Sequence, residues 1–398
     1  MPTVEPSTSM RTPEADDRAF ARLTEPLHRE LKVHCYRMMG SGHEAEDAVQ
    51  ETYLRAWRAF KGLGDHGAIR AWLYRIATNV CFDALAKRRH AHRVLPDQRA
   101  LPTDKMPNGV PATDVAWLEP YPDTELSEIA DDAPTPEARY STREAVRLAF
   151  VAAIQQLPPR QRAVLMLCDV LGWSATETAA LLGASVASVN SALQRSRATL
   201  AKRYPAGRER APAAPTPAQE DLLGRYMRAW EKLDVDGFVA LLKDDAAYTM
   251  PPLPEWYFGR APIAAFLRWA FGLYDGFRLA PIRANGQPAF AAYSRAAPTD
   301  AWSAHSIQVL DLENDAIGGI TLFAKPDSPR LFSAFGLPLA ISAHVPATAR
   351  SISSIMIGAA AVRSASALVP ASVSGSTPTQ VPGRGAPKRT FRESALGR

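Results

Sequence analysis

Residues 185–203 concentrate side chains that read nucleic acid. Asn190, Ser191, Gln194, Arg195 and Arg197 share one side of a helical stretch. Their amide, hydroxyl and guanidinium groups suit base edges and phosphates in a major groove. A second group, Asp47, Gln50 and Glu51, gathers acid and amide on one face of residues 44–58. That face suits a basic protein partner and repels a polyanion, although a merely solvated acidic face has the same composition. A third group, His305 and Asp311, stands in a strand pattern. In AHSIQVLDL, alternation places His305, Ile307, Val309 and Asp311 on one strand face. A histidine and an aspartate on one inward face could serve as base and orienter. A lone strand histidine is more often structural, so ligand sensing or simple docking competes with catalysis.

These groups need elements to hold them. Thr176 to Leu182 reads as a helix ending at Gly183, the residue type that closes a helix in the left-handed region. Ser185 is placed to cap a second helix. On it Val186, Val189, Leu193 and Leu200 form one apolar stripe opposite the polar face. The spacing Ala179–Gly183–Val189 is that of a DNA-reading helix-turn-helix, against the alternative of an ordinary helical hairpin. Upstream, Ala45, Ala48, Val49, Thr52 and Ala56 give residues 44–58 a core face. A glycine-rich loop, 61–69, precedes the helical pattern 70–93, where Trp72, Leu73, Ile76, Val80 and Leu85 are apolar. A loop ahead of a basic helix can hold an extruded base, with the cations on phosphates.

The charge distribution agrees. Of 398 residues, 46 are Lys or Arg and 41 Asp or Glu, a net of +5. Segment 70–93 carries six basic residues against one acidic, and 141–204 carries eight against three. Between them, 96–140 carries ten acidic residues against three basic and many prolines. Two basic helical modules joined by an acidic tether suggest two contacts with nucleic acid. No apolar run reaches the ~18 residues of a membrane span, and the polar N-terminus lacks a signal-peptide core. Three scattered cysteines fit a reducing cytoplasm and no Cys-based metal site. His28, His34 and Cys35 lack further ligands at a zinc spacing, and no phosphate-binding glycine loop is present, so neither metal nor cofactor is expected.

Three segments in order, HCYRMMGSGHEAEDAVQETYLRAW, AWLYRIATNVCFDALAKRR and LPPRQRAVLMLCDVLGWSATETAALLGASVASVNSALQRSRATL, resemble regions 2 and 4 of extracytoplasmic-function sigma factors. The resemblance implies a non-enzymatic protein that binds core RNA polymerase and promoter DNA. It assigns Asp47, Gln50 and Glu51 to the β′ clamp and region 4 to the β flap. It assigns Ala68, Ile69, Asn79, Asp83, Lys87, Arg88 and Arg89 to the −10 element. Asn190, Ser191, Gln194, Arg195 and Arg197 fall to the −35 element. The linker would run toward the RNA exit path, where acid can mimic RNA. At about 45 residues, with the odd stretch WLEPYPD, it is longer than is usual in the family.

Residues 218–338 are an extension. Leu222, Leu223, Tyr226, Ala229 and Trp230 mark an apolar helix face, and strand patterns follow with turns at Asn285–Gly286 and Asn314–Asp315. The order, with MPPLPEWYFGR and NGQPA, resembles a SnoaL-like domain, a cone of helices on a curved sheet. It implies control of polymerase binding by the appended domain, and a pocket for a small ligand that Tyr248, Trp256, His305 and Asp311 could line. The expected fold is multidomain, two all-α modules followed by an α+β cone. Its expected parts are a disordered N-terminus (1–20), region 2 (21–95), an acidic linker (96–140) and region 4 (141–204). A Pro/Ala hinge (205–217), the SnoaL-like domain (218–338) and a disordered basic tail (339–398) complete it. A regulator that binds DNA without polymerase, or a DNA-binding module fused to a small-molecule enzyme or sensor, are the competing readings.

Overall fold

The structure, a computed structural model, describes residues 13–60, 68–88, 92–126, 145–204 and 215–341. Helices α1 (Pro13–Thr24), α2 (His28–Met39), α3 (Gly42–Ala59) and α4 (Ile69–Lys87) build the first module. Helix α1 corrects the expectation of disorder for residues 13–20, residues 1–12 lying outside the described residues: Phe20 on it meets the rings of Tyr53, Trp57 and Phe60. The core face read for α3 is buried at every position named, Ala45, Ala48, Val49, Thr52 and Ala56. Helix α2 stops at Gly40, which is left-handed at φ 72°. A Cβ there would meet Arg93, Leu118 and Gln155 at 3.0–3.1 Å. The glycine is thus required both by its backbone and by the close approach of linker and second module.

The second module comprises α5 (Leu148–Gln155), α6 (Pro159–Leu165), a π turn (Met166–Val170), α7 (Ala175–Leu182) and α8 (Val186–Arg203). A capping box, Ser174 with Glu177, starts α7, and Gly183 at φ 60° ends it. Ser185 caps α8, accepting from the Ser188 amide at 3.2 Å. The apolar stripe differs from expectation. Val189, Ala192 and Ser196 are the buried positions of α8, and Val186 is 41% exposed. Val186 lies in the first turn, at the open end of the helix.

In the C-terminal domain, α9 (Pro217–Glu231), α10 (Val235–Val239) and α11 (Arg260–Phe271) pack on a sheet. Its strands are β1 (Leu242–Thr249), β2 (Trp256–Phe258), β3 (Gly276–Ala284), β4 (Gln287–Arg295), β5 (Trp302–Glu313), β6 (Ala316–Phe323) and β7 (Ala340–Ile341), with α12 (Ser328–Ala334) before the last. The order is β2-β1-β6-β5-β4-β3, with β7 on β5. Pairing is antiparallel except β1 with β6, which is parallel, a feature the alternation could not show. Strand β7 means that the segment expected as a tail from 339 begins as part of the sheet.

One sheet face closes over an aromatic interior built on Tyr226, Trp230, Phe238, Tyr248, Phe266 and Phe277. The other face, with Ala291, Ile307, Val309 and Phe323, joins the same apolar cluster as Leu31, Tyr36, Val146 and Ile154 of the helical modules. One core thus runs through all three parts, while the C-terminal domain keeps its aromatic interior and the second module a small cluster around Val164, Ala179, Val189 and Ala192. The linker is irregular but not free. Among its backbone bonds, Glu119 donates to Gly40, Leu118 to Val94, Thr103 to Trp256, and Ala112 to Pro252. No helix among the described residues is long and apolar enough to cross a membrane.

Candidate polymerase and promoter interfaces

On α8, Asn190, Ser191, Gln194, Arg195 and Arg197 are all exposed, so the structure brings the five residues together on one open face. Arg197 is not idle: its guanidinium grips Asp169 at 2.6 and 2.9 Å. On α3, Asp47 and Gln50 are exposed beside Leu54, an apolar side chain 53% open to water. Glu51 holds Arg55 at 2.7 Å, and Arg55 reaches Asp83 of α4 at 2.8 Å. One cation therefore links a residue nominated for polymerase to one nominated for the −10 element.

Asn79 and Lys87 are exposed on α4, Ala68 is exposed at its start, and Ile69 is buried. Arg88 departs from the basic cluster. It turns inward, pairs with Glu44, and donates to the Met39 carbonyl at the end of α2 at 3.3 Å. Burial, with Arg93 nearby, pushes its pKa down to about 10. Arg89, with residues 61–67 of the preceding loop, lies outside the described residues.

The two helical modules touch directly. Trp173, before α7, packs against Tyr74 of α4 with ring centroids 5.4 Å apart and the planes tilted by 58°. The Arg70 guanidinium lies over both rings, at 5.3 and 5.9 Å. Arg162 of α6 is fully buried and donates to Ile154, Gln155, Leu157 and, across the module boundary, the Met38 carbonyl. Burial pushes its pKa down to about 9, with the Arg88 charge adding to the effect. Carbonyl oxygens at the end of α2 thus receive two arginines.

The C-terminal domain fastens this arrangement through the β3–β4 turn. Asn285, left-handed at φ 56°, is fully buried. Its amide donates to the Tyr36 hydroxyl at 2.8 Å and to the Val146 carbonyl at 2.7 Å. Its carbonyl oxygen accepts from the Tyr121 backbone at 2.8 Å. Gly286 donates to Asp123 at 2.7 Å, and Arg283 pairs with that carboxylate at 3.1 Å. Gln287 accepts from the Leu148 backbone at 2.9 Å, and Arg147 pairs with Asp311. One hairpin end thereby holds the first module, the linker and the start of the second. Sequence reading placed the Asn-Gly turn and noticed WLEPYPD, but nothing in either indicated that they meet.

The pocket residues do not converge. Tyr248 is buried in the aromatic interior beside Phe266. Trp256 donates its indole N–H to the Ala100 carbonyl of the linker at 2.8 Å. His305 faces the interior, edge-on to Tyr274 and Phe277. Asp311 faces the helical modules and Arg147. The shared face expected for His305 and Asp311 is corrected by a register shift: Ala292 and Tyr293 pair with Ser306 and Ala304, leaving His305 as the extra residue. A bulge of this kind interrupts the alternation of faces. Burial lowers the His305 pKa to about 4 and raises that of Asp311 despite Arg147. A neutral imidazole and a distant, paired carboxylate do not form a base and its orienter.

Known proteins match this chain in sequence and in fold. Residues 23–91 match the sigma-70 region 2 family, 147–200 the sigma-70 region 4 family, and 223–318 the SnoaL-like domain. The chain is 44% identical over 330 residues to the ECF RNA polymerase sigma factor SigG of Mycobacterium tuberculosis, covering 81% of this chain and 86% of that protein. It is 29% identical over 187 residues to the ECF sigma factor SigW of Bacillus subtilis, covering 47% of this chain and 89% of that one. The crystal structure of M. tuberculosis SigJ superposes with a TM-score of 0.51 at 22% identity, covering 80% of this chain and 99% of that one, a shared fold. By the identity to SigG across most of both chains, and by both sigma-70 regions in order, this chain belongs to the extracytoplasmic-function sigma factors of RNA polymerase.

Proposed function

We infer that this sigma factor directs core RNA polymerase to promoters and is restrained by its own C-terminal domain through spacing rather than masking. The −35 reading is supported by the open face of Asn190, Ser191, Gln194 and Arg195. Docking on the polymerase clamp is supported by the open acidic face of Asp47 and Gln50 beside Leu54. Asn79 and Lys87 remain presented for the −10 strand, with Arg88 withdrawn toward Glu44. The protein would act in the cytoplasm, where polymerase and DNA meet.

The observation that carries the restraint is the direct contact of Trp173 with Tyr74. Promoter elements about 25 base pairs apart, at ~3.4 Å per pair, lie roughly 85 Å apart. Modules in van der Waals contact cannot occupy both. The chain between 88 and 148, at ~3.4 Å per residue, reaches up to roughly 200 Å once released, so opening needs no unfolding of either module. Release must break the Asn285 contacts and free the linker from the C-terminal domain.

Run-off transcription with core polymerase on a genomic template, comparing the full chain with the Asn285→Gly variant, tests this. Core-dependent initiation that rises in the variant supports both parts. Initiation that is equal in the two removes the restraint. No initiation, together with no binding to core polymerase, favours a regulator that binds DNA alone.

A further inference from the structure

A cavity of about 260 Å³ opens where the linker crosses the C-terminal domain. It lies on the module-facing side of the sheet, away from the aromatic interior. Arg93, Trp117 and Glu119 form its linker wall, and Phe323, Asp327 and Arg330 its domain wall. Among the described residues, the ion pair of Glu119 with Arg330 ties these walls together. The Glu119 carboxylate accepts from Ser41 at 2.7 Å and from Arg330 at 2.9 Å, with Arg93 at 3.5 Å. Arg93 is committed elsewhere, to Glu44 at 3.0 Å and to the Trp117 carbonyl.

Arg330 is different. It spends one terminal nitrogen on Glu119, with Asp327 a further 3.5 Å contact for the same atom. Its Nε and second terminal nitrogen have no hydrogen-bond partner among the described residues, and the side chain is 39% exposed. A guanidinium prefers two parallel bonds to one anion, which the single contact from Glu119 does not provide. Beside it, the nearly fully buried Trp117 and Phe323 line the cavity together with Val115, Ala116 and Ala324. A guanidinium with spare donors next to apolar walls in a cavity of this size suits a small organic anion.

We propose that this seam is a binding site for a small organic anion, a carboxylate or phosphate on an apolar body about one ring in size, which takes Arg330 from Glu119. The inference rests on the closed arrangement and names a regulator of it. The ligand removes the ion pair that ties helix α12 to the linker and so eases release of the modules.

The test uses the full chain with benzoate and its uncharged analogue benzamide, followed by calorimetry. Benzoate binds saturably and benzamide at least about tenfold more weakly. Arg330→Met weakens benzoate by about tenfold or more, the scale of a lost charged hydrogen bond. Glu119→Gln removes the competing carboxylate and tightens benzoate several-fold, a gain that a damaged fold would not give. A fluorophore pair on α3 and α8 reports greater separation as benzoate saturates. Small-angle scattering of the ligand-free chain keeps the two readings apart. An extended chain overturns both. A compact chain that binds no benzoate, binds it equally in Arg330→Met, or shows no change in separation overturns this inference alone.

Discussion

The Asn285 amide and the Tyr36 hydroxyl meet at 2.8 Å across 249 positions of sequence. One belongs to a turn of the SnoaL-like domain and the other to a helix of region 2. The same tyrosine donates to the Glu119 carbonyl at 2.9 Å, so the linker is held in the same bond network. Asn285 and Tyr36 are both fully buried, and a buried polar group left without its partner is costly.

Asn285→Gly keeps the left-handed turn while deleting the amide. The Tyr121 amide and Val146 carbonyl then lack their partner in the closed state. We expect the closed arrangement to lose about 3 kcal/mol. Small-angle scattering should show a larger radius, and transcription should rise. Tyr36→Phe should act in the same direction with about 1 kcal/mol.

Arg195→Ala removes an exposed cation from the −35 face without touching the core. We expect ~1–3 kcal/mol weaker recognition if the side chain meets a base, with specificity relaxed at one position. Footprinting and transcription on promoters altered base by base check this. Arg197→Ala should lower affinity more uniformly across sequences, since that guanidinium is already engaged by Asp169.

Asp47→Lys reverses charge on the proposed clamp-binding face, and Leu54→Ala trims its exposed apolar neighbour. Each should weaken binding to core polymerase by about tenfold, and leave the melting temperature within a few degrees because both sites are exposed. Interferometry with immobilised core enzyme measures the first effect and calorimetry the second.

His34 is buried in region 2, bonded to Thr78 at 3.0 Å, and burial lowers its pKa to about 3. In the unfolded chain it takes a proton near pH 6.5. The unfolded state therefore binds more protons below that pH, and stability falls as pH drops from about 6.5 toward about 3. His305, neutral to about pH 4, adds to the same slope. His34→Leu should flatten the slope of stability against pH whatever it does to stability at neutral pH. Denaturant melts at pH 7.5, 6 and 5 check this.

The helical modules were legible because their signals are local. Caps at Ser185 and Gly183, the core face of α3 and the polar face of α8 depend on residues three or four apart. Departures came where a neighbour in space intervened. Val186 read as core from periodicity, but at the start of α8 it is 41% exposed, while Val189 one turn on is buried. Arg88 read as part of a basic patch, and the carbonyl end of α2 with Glu44 drew it inward. His305 and Asp311 read as one face until the extra residue in β5 separated them.

By itself the sequence determined the family, the two DNA-facing modules and the presence of an α+β extension, because each is encoded by short-range periodicity and motif. Only the tertiary structure decided that the modules are closed on one another and fastened by Asn285. That decision rests on contacts such as Asn285 with Tyr36 and Arg147 with Asp311. Their partners lie more than a hundred positions apart, and neither member carries a local pattern that names the other.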